Sequence, residues 1–482
     1  MSDPFSLQGF LVALLLPWFA GTVWVKYLLA RTGRFNWCIV IGQGFFVGYF
    51  ATTLLVRAWD AAGQPLNFSY LGTALLTITL VGLALLRTAS FPPAIAAEEG
   101  AVMSPLVKLG VVVLLGMLGW RYLLLFEELL LRPLYAWDAW MNWAPKSIVW
   151  FHVGEITDFV SPKRWMSLGS LADYTLGNGQ AWDYPISVPV IILWNMLGAG
   201  TWDHPALFLP WMLMPVCLGI AIYGHLRLAG VSIALSVLAC YVLLSIPYVN
   251  VHSVLAGYAD LWLASAFGLG VCAIYEFART RHWAYALLAL FLAGFCAQLK
   301  VPGIFMGLIL LVCVVRTAVN LPARIEMIVA AVLIIAFVLL LMVGISFEAP
   351  HLGTVVLSWE EMRVGRVGNF VPKYHHVESE FFETYFLMAN WHLLAYYFFA
   401  LVLYGLGSGV WWRWPSSEAL AAVTALVFVV SVFFFTGYFT QAKNFVALNR
   451  ALLYPVPALI FCFFLHFPWR ALPAPTRASL GI

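Results

Sequence analysis

The residues of this sequence best suited to chemistry are acids and bases set among tryptophans. The first group reads Tyr135-Ala136-Trp137-Asp138-Ala139-Trp140-Met141-Asn142-Trp143-Ala144-Pro145-Lys146. At helical pitch, Trp137, Trp140 and Trp143 fall near one face. An interfacial amphipathic helix is one interpretation, because Trp prefers the headgroup level of a membrane while Asp138 and Lys146 face water. The other interpretation is a carboxylate at the mouth of a membrane cavity with an aromatic floor.

Further charged residues stand at the ends of apolar runs. Asp183 precedes Tyr184-Pro185 and can cap the short helix that follows. Asp260 follows Gly257-Tyr258-Ala259 and opens an apolar run, where the helix dipole favours an acid. Lys300 and Arg450 stand beside apolar runs, which are common snorkelling positions. Taken one at a time, each position has a structural explanation.

A second polar segment, from Ser358 to Glu383, contains the adjacent histidines His375 and His376 among several acids. Neighbours in sequence point apart on a helix or a strand, so this pair is poorly placed to share a metal ion. We therefore expect a solvated loop whose charges pair with one another. A lid over a substrate cleft is the second interpretation.

The composition excludes an ordinary soluble domain. The chain has 482 residues, of which 63% are hydrophobic and only 10% are charged, whereas soluble proteins are about 25% charged. Most of the surface must therefore face lipid. The lysines and arginines are scattered, so the net charge of +3 does not indicate nucleic acid as a partner.

Thirteen apolar runs approach the roughly 20 residues that a helix needs to cross a hydrocarbon core of about 30 Å. They are 6–25, 36–56, 68–86, 105–125, 205–223, 231–249, 260–278, 284–299, 303–320, 326–346, 390–409, 418–436 and 450–467. A further run, 187–199, is too short to cross, and we expect a re-entrant or interfacial helix there. The predicted fold class is all-α: a polytopic membrane bundle of about 13 transmembrane helices, with amphipathic helices in the first large outer loop.

The basic residues orient these runs. With the N-terminus outside, every inner connection contains a lysine or an arginine, in agreement with the positive-inside rule. The outer side then receives the two long polar loops, about 126–186 and 347–389, and all but five of the 22 acidic residues; the five are Glu98, Glu99, Glu276, Glu326 and Glu418. The inner segment from Phe91 to Met103 is the best candidate boundary. It divides the chain into an N-terminal three-helix extension, 1–104, and a main membrane domain, 105–482.

In this orientation, charged residues from five separate places in the chain fall at the outer membrane boundary. They are Asp138, Lys146, Asp183, Asp260, Lys300 and Arg450. Acids and bases that converge in this way are expected at a site that faces a lipid-linked anion.

These residues give the chain a resemblance to the GT-C superfamily of membrane glycosyltransferases, which includes the protein O-mannosyltransferases and the bacterial aminoarabinose transferases acting on lipid A. The resemblance covers residues 105–467 and rests on the order of short motifs. These are Trp137-Asp138-Ala139, Asp183-Tyr184-Pro185, Gly257-Tyr258-Ala259-Asp260-Leu261, the segment Gly294 to Lys300, and Asn449-Arg450-Ala451-Leu452-Leu453-Tyr454-Pro455. The chain is similar to a bacterial-type branch of this group, and the three N-terminal helices lie outside the match.

The resemblance implies a transfer reaction on the outer face of the membrane. A sugar moves from a polyprenyl-phosphate carrier to a hydroxyl of a lipid, glycan or protein acceptor, usually with inversion. Asp138 is then expected to be the general base, and Asp260 to orient the acceptor or, with Asp138, to hold a divalent cation such as Mg or Mn. The remaining candidates bind the donor phosphate (Lys146, Lys300 and Arg450) or the acceptor or sugar (Trp137, Trp143, Asp183 and Tyr258).

The expected location is a bacterial inner (plasma) membrane, with membrane lipids around the bundle and the site on the periplasmic or outer face. Three other functions remain open. A multi-spanning transporter or lipid-linked glycan flippase would place polar groups near mid-membrane and often shows paired halves. An O-antigen-ligase-like transferase would use a diphosphate-linked donor, and an assembly or regulatory membrane protein would use the Asp138 region only for packing.

Overall fold

The chain forms a bundle of apolar helices and is an integral, multi-pass membrane protein. The computed structural model describes residues 4–92, 103–167, 173–349, 353–365, 368–370, 373–407, 415–445 and 447–466. The domain boundary expected between Phe91 and Met103 falls mostly on residues 93–102, which lie outside the described residues.

The first part of the chain has four long helices and then short ones. They are α1 (Leu7–Ala30), α2 (Trp37–Ala61), α3 (Phe68–Thr88), α4 (Pro105–Leu131), α5 (Ala144–Val153), α6 (Pro162–Ser167) and α7 (Ser187–Ala199). A π-helical turn, Ala139–Trp143, leads into α5. A 3-10 turn, Pro205–Phe208, leads into the next helix.

The middle of the chain continues with α8 (Leu209–Leu228), α9 (Ile233–Leu244), α10 (Pro247–Val254), α11 (Asp260–Thr280), α12 (Trp283–Leu299), α13 (Val301–Val319) and α14 (Ala323–Val343). Four strands follow: β1 (Ile345–Ala349), β2 (Gly353–Leu357), β3 (Met362–Val364) and β4 (Gly368–Phe370). The last helices are α15 (Glu378–Phe382), α16 (Leu394–Gly407), α17 (Ser417–Phe435), α18 (Phe439–Lys443), α19 (Leu448–Leu453) and α20 (Val456–His466).

Ten helical segments in the described part of the chain are long and apolar enough to cross a membrane. An eleventh crossing results if α9 and α10, which meet at 61°, form one broken span. The helix α12 is apolar but has 17 residues, and the run predicted at 390–409 is described only to residue 407. The predicted α-helical membrane bundle is thus confirmed, and the count of thirteen stays a prediction.

The connections between helices meet at two ends of the bundle. At one end, Arg34 and Arg279 both donate to the carbonyl of Leu228, at 3.0 and 3.1 Å, and Tyr285 donates to the carbonyl of Arg34. At the other end, the amide of Ser6 donates to Ala199 and that of Leu66 to Gly154, at 2.8 and 2.9 Å. We call this second end the acidic end, because Asp138 and Asp260 also lie there.

The short helix α7 lies inside the bundle. All but one of its 13 residues are buried, and it packs against α1, α2 and α5. A helix lying in the membrane interface would expose one polar face, so the interfacial alternative was wrong, and the re-entrant alternative stays a prediction. Its prolines and glycines keep α7 too short to cross, and it fills the core beneath the acidic end.

The N-terminal helices share their core with the rest of the bundle. Phe45 of α2 stacks on Trp262 of α11, with ring centroids 5.5 Å apart, and Tyr49 contacts the same indole. Close contact of α1 with α2 needs glycine, since a Cβ at Gly21 would lie 1.9 Å from the carbonyl oxygen of Gly44. Small residues allow membrane helices to approach closely. The first helices therefore support the helix that begins at Asp260.

The second polar loop folds as a four-stranded antiparallel meander in the order β1-β2-β3-β4. Leu357 pairs with Ile345 on one side and with Met362 on the other. The charged residues in the sheet region and in the segment after it pair with near neighbours, as expected for a solvated segment. Arg363 pairs with Glu361 at 3.6 Å, and His376 pairs with Glu378 at 3.3 Å. The sheet itself was not expected, because its strands have only three to five residues each.

Candidate functional site

Two loops bring Asp138 and Asp260 together at the acidic end. Gly257 has a φ of +85°, and a Cβ added there would lie 2.6 Å from the Cβ of Ala139. Only glycine fits both this conformation and this contact. The π-helical turn after Asp138 thus lies directly against the loop that leads into Asp260.

Asp260 is the best-paired acid among the described residues. Its side chain is fully buried at the start of α11. Its Oδ1 accepts hydrogen bonds from Lys300 Nζ at 2.8 Å and from the Tyr454 hydroxyl at 2.7 Å. Its Oδ2 accepts from Arg450 Nη2 at 2.7 Å and from Arg450 Nε at 3.2 Å. A buried carboxylate is tolerated when its charge and lone pairs are matched in this way.

Asp138 has a different environment. Its Oδ2 accepts a hydrogen bond from Arg450 Nη2, the same nitrogen that binds Asp260. Its backbone N–H donates to the Tyr258 hydroxyl at 3.2 Å, and the ring of Tyr258 lies 4.7 Å from the Arg450 guanidinium carbon. Arg450 thus bridges the two carboxylates over an aromatic face, an arrangement that suits a guanidinium.

Lys300 is positioned by a tight connection between α12 and α13. It is the single residue between the two helices and has an extended backbone. Pro302 stands in the first turn of α13, where its missing N–H has no cost. A Cβ at Gly303 would lie 1.8 Å from the carbonyl oxygen of Cys296, so the two helices approach closely there. The resulting hairpin presents the Lys300 ammonium to Asp260.

Arg450 is held by the short helix α19. The neighbouring residue Asn449 accepts hydrogen bonds from Trp391 Nε1 at 3.0 Å and from Asn390 Nδ2 at 3.3 Å. These contacts fix α19 to the segment before α16. The Arg450 side chain keeps 16% of its surface exposed, so a ligand can reach it without unfolding of the bundle.

Lys146 lies apart from this cluster. Its ammonium donates to the carbonyls of Trp182 and Tyr184 at 2.9 and 3.4 Å, and the residue is 1% exposed. The helix that carries it is fixed to α7 by Ser147, which donates to the carbonyl of Pro189 at 2.7 Å. The expected water-facing amphipathic helix was therefore wrong for this residue, because backbone carbonyls take the place of water. Asp183, beside these carbonyls, is exposed.

The three tryptophans do not share a face. Trp137 and Trp140 are more than half exposed, whereas Trp143 is fully buried. The π-helical turn Ala139–Trp143 closes through i→i+5 hydrogen bonds and adds a residue to the turn, which rotates Trp143 into the core. There its ring lies 5.5 Å from that of Tyr184. The expected common face at helical pitch was wrong for this reason.

Two contributors to the site were not among the expected residues. Tyr454 follows Arg450 by four residues, about one helical turn, and directly follows the helix α19; its hydroxyl donates to Asp260. This spacing is a signal that sequence reasoning can use. The main-chain carbonyls that hold Lys146 leave no such signal, because they depend on the path of the loop.

A divalent cation held by Asp138 and Asp260 does not fit this arrangement. The Arg450 guanidinium lies between the carboxylates and binds both, and Lys300 and Tyr454 occupy the other oxygen of Asp260. Such a cation needs several unoccupied oxygen ligands. Among the described residues, no group of three or more His, Cys, Asp and Glu side chains is placed to hold one. The charges of the cluster are balanced within it, two carboxylates against one guanidinium and one ammonium.

The stability of the loop around Lys146 should depend on pH. Burial lowers the pKa of Lys146 from 10.5 to about 8, although the Asp183 carboxylate opposes this shift. Between about pH 8 and 10.5 the unfolded chain therefore binds more protons than the folded protein, and stability rises with pH. The gain approaches about 3 kcal/mol.

Thermal unfolding of the detergent-solubilised protein and of Lys146→Met at pH 7.5 and pH 10 checks this. The stability of the wild-type protein should rise relative to that of the variant at the higher pH. If the difference in stability between the wild-type protein and Lys146→Met is the same at both pH values, the lowered pKa of Lys146 is contradicted.

Comparison of this chain with protein-family models, curated proteins and solved structures found no match. The site must therefore be interpreted from its own geometry.

Proposed function

We propose that this protein is a membrane glycosyltransferase of the GT-C type that moves a sugar from a polyprenyl-phosphate carrier to a hydroxyl acceptor. The observation that supports it is the bridge of Arg450 between Asp138 and Asp260, with Lys300 beside it. This cluster combines a carboxylate that can take a proton with cations that can bind a phosphate. It lies at one end of a lipid-facing bundle, where a lipid-borne donor arrives from the bilayer.

Each residue of the cluster has a role in this proposal. Arg450 and Lys300 bind the donor phosphate and stabilise the negative charge that develops as the sugar leaves. Asp260 holds both cations in place through its hydrogen bonds. Asp138 is the general base, and Tyr258 positions its backbone.

The proposed reaction is one displacement at the anomeric carbon. The acceptor hydroxyl oxygen forms a bond to this carbon while the bond from the carbon to the phosphate oxygen breaks. The bonding electron pair leaves with the polyprenyl phosphate, and the hydroxyl proton passes to the Asp138 carboxylate and later to water. Attack opposite the leaving phosphate inverts the anomeric configuration.

The surroundings of Asp138 agree with a position at the membrane surface. Trp137 and Trp140 beside it are exposed, as is Tyr135. Exposed aromatic side chains of this kind are enriched at the headgroup level. In the proposed arrangement the acidic end is the outer, periplasmic face of a bacterial inner membrane, and thirteen helices cross the bilayer. Trp137 and Asp183 lie where an acceptor or sugar would enter. Trp143 is buried and has no direct contact with a sugar in this proposal; its ring packs against that of Tyr184.

The proposal is tested by incubating the purified protein with labelled polyprenyl-phosphate sugars and a crude membrane extract. We expect at least one sugar to appear in a new product that depends on the extract, with release of polyprenyl phosphate. Hydrolysis by water alone, or no turnover with any of several sugars, would overturn the proposal.

A further inference from the structure

The two carboxylates of the site differ in how firmly they are paired. Asp260 accepts four hydrogen bonds from three side chains. Among the described residues, the Asp138 carboxylate accepts a side-chain hydrogen bond from Arg450 only. The link between Arg450 and Asp138 is therefore the one that can open while the rest of the cluster stays intact.

This link also opposes the chemistry proposed for Asp138. A general base must take up the proton that it removes. Here the guanidinium binds Oδ2, and its positive charge favours the ionised carboxylate, so it opposes proton transfer even to the unbound Oδ1. The geometry is therefore that of a resting site.

The guanidinium has a donor to spare. Nε and Nη2 of Arg450 bind the carboxylates, whereas no acceptor among the described residues binds Nη1. Nη1 and Nη2 form the flat edge with which an arginine binds a phosphate through two parallel hydrogen bonds. A phosphate that first binds Nη1 would complete this pair by taking Nη2 from Asp138. Asp260 would keep its hydrogen bonds to Nε, Lys300 and Tyr454, so the arginine would remain anchored.

We infer that Arg450 is a switch: the phosphate of the lipid donor takes the guanidinium from Asp138 and thereby frees this carboxylate to act as the base. This inference rests on the proposed function and adds a fixed order of events to it, in which donor binding precedes proton transfer to Asp138. Asp138 accepts a proton readily only after the donor phosphate has taken the guanidinium from it. An acceptor or water molecule that arrives before the donor meets a carboxylate still paired with Arg450.

Binding measurements test this switch independently of turnover. In Asp138→Asn the asparagine is neutral and competes less for Arg450, so a polyprenyl monophosphate should bind the purified variant about tenfold more tightly than the wild-type protein. That change corresponds to about 1.4 kcal/mol. Uncharged polyprenol should bind both proteins equally. Asp158→Asn, which removes an exposed acid of the same loop region, should leave the affinity for the monophosphate unchanged.

The outcomes separate the switch from the proposed function. Equal or weaker binding of the monophosphate by Asp138→Asn, with transfer intact in the wild-type protein, would overturn the switch alone. Failure of the wild-type protein to bind the monophosphate would overturn the proposed function as well. Inorganic phosphate in a parallel titration identifies the source of the phosphate. Tightening confined to the lipid monophosphate supports a lipid-borne ligand, and equal tightening for both supports the same exchange with free phosphate.

Discussion

Asp138→Asn should leave the protein folded and reduce sugar transfer by about 10²- to 10⁴-fold, the usual contribution of a general base. Asparagine has nearly the same shape as aspartate and can still accept a hydrogen bond from Arg450, but it does not take up the acceptor proton. Arg450 keeps its pairing with Asp260 in the variant. The bundle therefore loses little stability, and the variant is slowed in the chemical step of sugar transfer.

Initial rates of transfer by equal amounts of purified protein measure this effect. Asp158→Asn serves as the control, since Asp158 is an exposed acid of the same loop region. Thermal unfolding of both variants in the same detergent checks their folding. Turnover at the wild-type rate in Asp138→Asn would show that Asp138 is not the general base.

Asp260→Asn should act mainly on stability and lower the free energy of unfolding by about 3–5 kcal/mol, as expected when one member of a buried ion pair is removed. Lys300 and Arg450 would then share one end of the bundle without the carboxylate that neutralises them. Asparagine also cannot replace the charge that Tyr454 contacts. Transfer should fall too, because both phosphate-binding cations lose their anchor.

Unfolding of purified Asp260→Asn, followed by the loss of helical signal with heat, measures this loss against Asp158→Asn. A second variant, Asp260→Asn with Lys300→Gln, removes one of the two cations that lose their counter-charge and should recover part of the lost stability. A midpoint of unfolding equal to that of the wild-type protein in the single variant would contradict the structural role of Asp260.

The sequence was sufficient to predict the membrane bundle and the meeting of Asp138, Asp260, Lys300 and Arg450. The same prediction also included Lys146 and Asp183, which the structure does not bring into this cluster. Apolar runs near 20 residues long define the helices because a hydrocarbon core requires that length. Asp260, Lys300 and Arg450 each stand at an end of such a run, and Asp138 lies in the loop that follows another run on the same side, so alternating helices bring all four to one face. Their meeting follows from the length and order of the helices.

The exact pairing could not be predicted in the same way. That Arg450 bridges both acids depends on Gly257 lying against Ala139 and on the extended backbone of Lys300. The burial of Lys146 and Trp143 depends on the path of a loop and on one π-helical turn. Such features arise from tertiary packing and cannot be predicted from the periodicity of the sequence.

The most direct test of the account uses proteoliposomes and a polyprenyl-phosphate sugar that carries one label on the sugar and another on the phosphate. We predict that the purified protein separates the two labels in equal amounts. The sugar label should appear on an acceptor from the membrane extract, and the phosphate label should stay on polyprenyl phosphate. If both labels instead remain on one lipid and cross the bilayer together, the protein is a flippase, and the glycosyltransferase proposed here is contradicted.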